Sequence, residues 1–470
     1  MPRRSPSPLL VALLVAGSGF MELLDTTVIT TALPHMAATF HVHPVDLNIG
    51  ITAYVVMLAA GIPLSGWAAD RFGARTIFGL AIALFTIASA LCGLSDSLWT
   101  FFAARILQGI GGAMMVPVGR LVVLRVTPKS ELMRATALIT WPALVAPILG
   151  PVVGGFLTTY ASWRWIFFLN LPIGLIGFLA TLVLIRDNGR EAKPLDRIGA
   201  LLSGGSAIAF VYGASLLGSS SGSLLLSGGL MLLGLIGGVA TVAHARRHSR
   251  PLVSFGALAT LSFTATVRGG SLVRLAINAV PFLLPLMFQL GFGRSPVAAG
   301  SLLLVLFAGN LGIKPFTTPL MRRFGFRRVL IVNGLLLAFT FLGLALISAA
   351  TPAWVLLPLL LLSGMTRSTQ FTAMNTLAFA DIPREGMSSA NTLFNLAQQV
   401  SFGLGVAVGA ILLRLGQNLF GGADMVAEFR FAFMGIFVIC LLGVIDFLPL
   451  APGAGANVSG HRPHRGIPST

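Results

Sequence analysis

The chain has 470 residues, 56% of them hydrophobic and 10% charged, with a mean hydropathy of +0.90. That composition excludes a soluble globular domain. Long continuous apolar runs, without short alternating strands, exclude a β-barrel, so the backbone must satisfy itself in membrane-spanning helices. The net charge of +17 would suggest nucleic acid in a soluble chain, but here the basic residues gather at one set of helix ends, as topology signals and contacts for anionic lipid.

Apolar runs between charged or turn-rich breaks predict fourteen spans at about 9–33, 46–69, 76–94, 98–122, 133–158, 163–185, 197–217, 223–243, 260–290, 297–320, 329–349, 353–378, 387–413 and 431–450. An even number puts both termini on one side. Arg3, Arg4, Arg71, Arg75, Lys129, Arg134, the 186–197 linker, Arg246, Arg247, Arg250 and the Arg322 to Arg328 cluster share that side, against Arg164, Arg294, Arg414 and Arg430 on the other. Both termini are therefore expected in the cytoplasm. The expected fold class is an all-α polytopic membrane protein, and Cys92 and Cys440, each in an apolar run, are expected to pack rather than pair.

The first span carries Glu22 and Asp25 about halfway along. A charge at bilayer depth is costly and marks a functional candidate, and the three-residue spacing puts both acids on one side of a helix. This span is longer than a signal h-region and lacks a clear small-residue cleavage site, so it is expected to be retained. In the loop that follows, His35, His41 and His43 with Asp46 have neither a thiolate nor a fixed outer shell, and no metal site is expected there.

Between the second and third spans lies Gly66-Trp67-Ala68-Ala69-Asp70-Arg71-Phe72-Gly73-Ala74-Arg75. Asp70 at a helix end beside Arg71 and Arg75 suits a gate that bridges neighbouring helices; an ordinary charged turn is the plainer alternative. In the fourth span, Arg105 lies roughly 10 Å in from the outer end, while Asp25 is about 24 Å from Leu9 at the inner end, so the two reach similar depth in a ~30 Å core. Arg105 needs a partner there, unless it snorkels to the outer interface. The fifth span presents Gly150, Pro151, Gly154 and Gly155, a small-residue face for close packing that can slide or bend.

The seventh and eighth spans have no counterpart elsewhere and read as an insertion. The second half carries Arg268 and Arg274 in the ninth span, Lys314 in the tenth and Arg367 in the twelfth, and no acid is expected at their depth because Asp446 falls near an inner end. Such cations can bind backbone carbonyls, line a wet cavity, pair with Glu22 and Asp25, or grip an anionic substrate. Asn278 and Gln370 stand near Arg274 and Arg367, and Asn391, Asn395 and Gln398 recur at helical spacing, lining either a cavity or an interhelical hydrogen-bonded face. Pro319-Leu320-Met321-Arg322-Arg323-Phe324-Gly325-Phe326-Arg327-Arg328 repeats the first-half turn with Arg322 in place of Asp70, which implies an asymmetric gate. The resulting division is 1–185, a six-helix bundle; 186–259, a linker with two extra helices; 260–450, a second six-helix bundle; and 451–470, a disordered cytoplasmic tail.

The Gly66 to Arg75 turn resembles the cytoplasmic signature of the major facilitator superfamily. Leu24-Asp25-Thr26-Thr27 with Ala32-Leu33-Pro34, Arg105-x-x-Gln108-Gly109-x-Gly111-Gly112-Ala113 and Gly150-Pro151-x-x-Gly154-Gly155 resemble its fourteen-span drug:proton antiporter branch. The resemblance covers nearly the whole chain, with one departure: Ala146 stands where the last pattern has another glycine. It implies two six-helix bundles plus two inserted helices, Arg105 beside the first-span acid, Asp25 as principal proton carrier, gating by Asp70, Arg71, Gly73 and Arg75, and export of drugs or other amphipathic compounds. Burial, a like charge and a guanidinium all bear on the proton affinity of such an acid. Glu22 is the substrate-facing candidate.

The expected function is therefore proton-coupled efflux by alternating access, with anionic or zwitterionic substrates favoured by the excess of buried cations. A symporter or uniporter for a small organic anion such as a carboxylate is the alternative. No enzyme activity, nucleotide loop, metal or cofactor is expected, the proton gradient being the energy source. The expected partners are a small-molecule substrate, protons and lipid, with no nucleic acid. The expected setting is a monomer in the inner membrane.

Overall fold

The computed structural model describes residues 7–42, 47–140, 142–186, 194–217, 223–248, 251–294, 296–421 and 424–461, and among these there is no strand. The first half comprises α1 (Pro8–Phe40), α2 (Asn48–Phe72), α3 (Ala74–Leu94), α4 (Leu98–Val126), α5 (Leu132–Thr140), α6 (Pro142–Tyr160), α7 (Trp165–Phe168) and α8 (Asn170–Leu184). Next come α9 (Arg197–Leu217) and α10 (Leu224–Arg247). The second half has α11 (Leu261–Leu286), α12 (Pro296–Gly312), α13 (Lys314–Leu346), α14 (Ala353–Ala380), α15 (Met387–Phe420), α16 (Met425–Ile445) and the one-turn α17 (Ala456–Ser459). Helix covers part of each of the fourteen expected stretches. Eleven helices of the described residues are long and apolar enough to cross a membrane. Side chains such as Val183, Leu201 and Leu225 are more than three-quarters exposed, which suits contact with lipid and would be unfavourable in water.

Local chemistry sets the helix ends. Ser97 and Thr100 form a reciprocal capping box at the start of α4, each side chain accepting the other residue's backbone N–H at 3.2 Å. Gly73 joins α2 to α3 at φ 90°, and Gly325 kinks α13 at φ 74°. The two turns alike in sequence thus share a left-handed glycine, a conformation that Cβ-bearing residues avoid.

The repetition extends to packing. In the first half α1 packs on α6, α4 and α8, α4 on α2 and α3, and α3 on α8; in the second, α11 packs on α15, α14 and α16, α14 on α12 and α13, and α13 on α16. Each of these six contacts has its counterpart in the other half. The halves meet where α15 crosses α2 and α4, where α14 meets α5, and where α12 meets α6. The α9–α10 hairpin packs on α2 and α15, one helix from each half. Basic residues converge at one end, here called the basic end: Arg75 donates to Leu182 O at 2.6 Å, Lys129 to Ala380 O at 3.0 Å, and Arg327 to Leu448 O at 3.0 Å.

The fifth span is helical on both sides of residue 141, which lies outside the described residues, as α5 and α6. One expectation is corrected here. The segment from Ala451 is not disordered over its described part, because α17 packs against α5, α13 and the Lys129–Glu131 turn, with Val458 and Ser459 buried. Its apolar Val458 has a core to join, which outweighs the Gly and Pro content. Residues 462–470, like His43 and Asp46, lie outside the described residues.

Candidate functional site

Asp25 is 4% exposed and sits inside the first half. Its Oδ2 receives Arg105 Nη1 at 2.6 Å, while Oδ1 receives Gln108 Nε2 at 2.8 Å and Asn170 Nδ2 at 3.2 Å. Arg105 Nη1 also donates to Gln108 Oε1 at 2.6 Å, and Asn170 reaches Ser89 Oγ at 2.9 Å. The three-residue spacing of Arg105 and Gln108 puts both on one face of α4, with Asn170 supplied by the first turn of α8 and Ser89 by α3. Arg105 is fully buried, its Cζ 4.2 Å from the Tyr54 ring centroid, so it does not snorkel. A buried charge needs such a partner and such hydrogen bonds.

The glycines of α4 allow this closeness. A Cβ at Gly109 would stand 2.7 Å from Tyr54 O on α2, and one at Gly111 would stand 2.8 Å from Phe85 N on α3. Backbone atoms cannot yield as side-chain tips do, so α4 is wedged between two helices by these residues. A Cβ at Gly112 would lie 3.2 Å from Tyr54 Oη and 3.8 Å from Glu22 Cδ, which places the two side chains around one spot. Glu22 Oε2 and Tyr54 Oη are shielded and have no hydrogen-bond partner. Glu22 is thus the less constrained acid.

A second cluster lies where the halves meet. Arg120 of α4 donates to Gln398 Oε1 at 2.9 Å and to Asn395 Oδ1 at 3.3 Å, and Asn391 Nδ2 donates to Pro117 O at 2.9 Å. Arg274, 1% exposed, gives Nη1 to Thr266 O at 3.0 Å and leaves Nε and Nη2 unpartnered. Arg120 and Arg274 flank one aromatic ring, with Cζ atoms 5.5 and 4.6 Å from the Phe394 centroid. Lys314 spans the seam between Thr140 at 3.3 Å and Thr372 at 2.9 Å. A void of about 10 Å³ beside Arg120, Thr136, Thr140 and Asn375 has room for no more than about one water. Beside these described residues the seam is packed shut.

Residues 15–406 match the family model described as Major Facilitator Superfamily. The chain belongs to the major facilitator superfamily. It is thus a protein of a transporter family, not an enzyme. Among curated relatives of this facilitator, "Putative multidrug resistance protein MdtD" of Enterobacter sp. (strain 638) is 37% identical over 458 residues, 95% of each chain. The protein of that name from Pectobacterium carotovorum subsp. carotovorum (strain PC1) is 38% identical, covering 92% of this chain and 94% of that one. Solved structures share the fold at low identity. The human organic anion transporter MFSD10 (TETRAN) aligns with a TM-score of 0.67 at 15% identity, covering 94% of this chain and 100% of that one. A bacterial homologue of the iron transporter ferroportin, in an outward-facing state, aligns with a TM-score of 0.65 at 15% identity over 93% and 98%.

The remaining sequence candidates of this facilitator separate into used and unused. Asp70 Oδ1 pairs with Arg125 Nη2 at 2.5 Å, so an ion-pair partner reaches it from α4 across the helix interface. Arg75 instead holds Leu182 O, and Arg71 is exposed. A Cβ at Gly66 would collide with Thr392 Oγ1, and at Gly150 with the Thr27 side chain, whereas Gly155 meets open space. Gly154 lends its carbonyl to Thr158 at 2.7 Å, and Pro151 lies within α6.

Arg268 is corrected: it is 69% exposed and forms a two-point pair with Asp446 at 2.7 and 2.8 Å, outside any central cavity, because Asp446 lies just past the end of α16. Gln370 is corrected too. It accepts from Asn333 at 2.8 Å and donates to Leu330 O at 3.2 Å, so its amide joins α13 to α14 and is spent there. Asn278 packs on Gly405 of α15, and Arg367 is half-buried with Nη1 unpartnered. Arg120 and Arg125 escaped the sequence reading. Arg120 lies fifteen residues after Arg105, just over four turns, hence on nearly the same face of α4.

Proposed function

We propose that this chain is a proton-coupled antiporter that exports drugs and other amphipathic compounds, with anions and zwitterions preferred. It would cross the inner membrane fourteen times with both termini in the cytoplasm and work as a monomer on the proton gradient without a cofactor. The observation that carries the reading is the clamp on Asp25, bound by Arg105, Gln108 and Asn170, one helical turn from a Glu22 oxygen with no partner. Protonation of Asp25 would cancel its charge attraction to Arg105, so a proton biases how α1, α4 and α8 pack. Glu22, whose Oε2 has no hydrogen-bond partner, would take a proton there without breaking a bond.

The cationic seam supports the substrate preference. Arg120, Arg274 and Lys314 face the junction, and none has a carboxylate among its hydrogen-bond partners. Guanidinium groups with free N–H donors beside an aromatic ring suit an acidic, partly apolar molecule. That the relatives carry a multidrug-resistance name supports export as the direction. In inverted vesicles with an acidic lumen, substrate should accumulate in the lumen, and Asp25→Asn should abolish that accumulation while the protein still inserts. Organic acids should compete better than organic cations. Full gradient-driven accumulation by Asp25→Asn would refute the proton role, and preference for cations would refute the substrate class.

A further inference from the structure

Outside the transport path, the ends of the inserted hairpin bring together three side chains that ligate metals well. Asp196 precedes α9, His244 lies in the last turn of α10, and His248 follows it one turn on, just past the helix end. Their donor atoms all lie within 4.8 Å of one another. His244 Nε2 is 2.9 Å from Asp196 Oδ1 and 3.1 Å from Oδ2, and the two imidazole centroids are 5.2 Å apart. We infer that Asp196, His244 and His248 bind one divalent transition-metal ion, of the zinc, cobalt or nickel kind, at the basic end of the hairpin.

The carboxylate is held as an oriented ligand. Gly199 N donates to Asp196 Oδ1 at 2.8 Å, and Leu252 N donates to Oδ2 at 3.2 Å. Such outer contacts fix the direction of a ligating group. Gly199 also makes the room, since a Cβ there would collide with the Asp196 carboxylate.

Two imidazoles and one carboxylate form a borderline donor set that suits zinc and its neighbours better than calcium or magnesium. A tetrahedral ion at about 2.0–2.1 Å from each donor wants donors about 3.4 Å apart. Asp196 and His244, at 2.9–3.1 Å, would part by a few tenths of an ångström to admit the ion, and His248, exposed beyond the helix end, would swing inward from within 4.8 Å. Without metal, a proton between His244 and Asp196 would do the same joining, so the ion replaces a proton. The occupied site would tie the start of α9, the end of α10 and the segment leading into α11.

The test uses the full-length chain in detergent with any affinity tag removed, and Co²⁺ as an absorbing probe with Zn²⁺ as competitor. One Co²⁺ per chain should give a saturable visible absorption that Zn²⁺ abolishes. His248→Ala keeps the Asp196–His244 bond, and it should weaken binding at least about tenfold; Asp196→Asn should do the same. His461→Ala, whose histidine contacts Arg322 O elsewhere, should leave binding unchanged. Absence of saturable absorption, or an affinity that His248→Ala does not alter, would overturn the site.

Discussion

Deleting the acceptors that hold Arg120 while leaving its charge should open the basic end. Asn395→Ala with Gln398→Ala removes the two bonds at 3.3 and 2.9 Å that join α4 to α15. Interhelical polar contacts in membranes contribute about 0.6 kcal/mol on average and up to about 1.7, so the closed seam should lose about 1–3 kcal/mol, roughly 5–150-fold in the closed-to-open ratio. What remains is repulsion. Arg120 and Arg274 Cζ lie 5.5 and 4.6 Å from one ring centroid, so they are no more than about 10 Å apart, and at an effective dielectric of about 20 their repulsion is at least about 1.7 kcal/mol. The two terms are of similar size. Arg120→Met, which removes both, should therefore leave the equilibrium nearly unmoved, and adding it to the double variant should reclose the seam. Spin labels at exposed Arg71 and Glu385 report the distance, and Cys92 and Cys440, both buried, stay unlabelled. If the double variant stays closed, or Arg120→Met fails to reverse it, the seam does not balance in this way.

Asp25→Asn and Arg105→Gln should each destabilise the purified protein by about 3–5 kcal/mol, since each strands a buried partner, while the double variant costs much less than their sum; additive losses in thermal unfolding would refute the pairing. Gly66→Val should prop α2 away from Thr392 and Ser388 and lengthen the Arg71–Glu385 distance, with Gly155→Val, which meets open space, as the unaffected control. Asp196 has a folded proton affinity below the unfolded one, so its contribution to stability is present above the ordinary Asp range and lost as pH falls through the depressed folded value. Asp196→Asn should therefore lower the melting temperature at neutral pH and lose that difference in strong acid. An equal difference at both pH values would contradict the assignment.

The buried network was legible because its cost is written in residue types. An Asp and an Arg within apolar runs demand partners, and depth arithmetic brought Asp25 and Arg105 to the same level. Asn170 and Ser89 were not legible, since one polar residue at a helix start has many uses and only the packing of α3 and α8 turns it inward. The cations of the second half were legible as costly in an apolar span but not sorted, and Arg268 avoids that cost by its exposure. Arg268 and Arg274 are six residues apart, just over one and a half turns, and only the positions of α15 and α16 decide that one meets Asp446 and the other Phe394. The polar stripe Asn391, Asn395 and Gln398 was visible by period. Its target was not, because Arg120 sits on the other half and nothing local couples the two sequences.

A closed seam built on like charges has a consequence for exchange. With the acceptors in place, Arg120 is held to α15 while Arg274 keeps two donors unpartnered under the same ring. An anion entering there would meet donors ready to bond and cancel the repulsion between the two guanidinium groups, so it stabilises the joined halves more than the empty seam does. A cation would add to the repulsion and favour separation. The Asp25 clamp lies on the same helix as Arg120, with Arg105 about 22 Å away along α4 at 1.5 Å per residue. Any shift of α4 when the clamp is protonated therefore moves the seam cation with it, since a helix transmits displacement along its axis. In the proposed antiport, coupling between proton and substrate would then require no contact between them, only that both bias the position of α4.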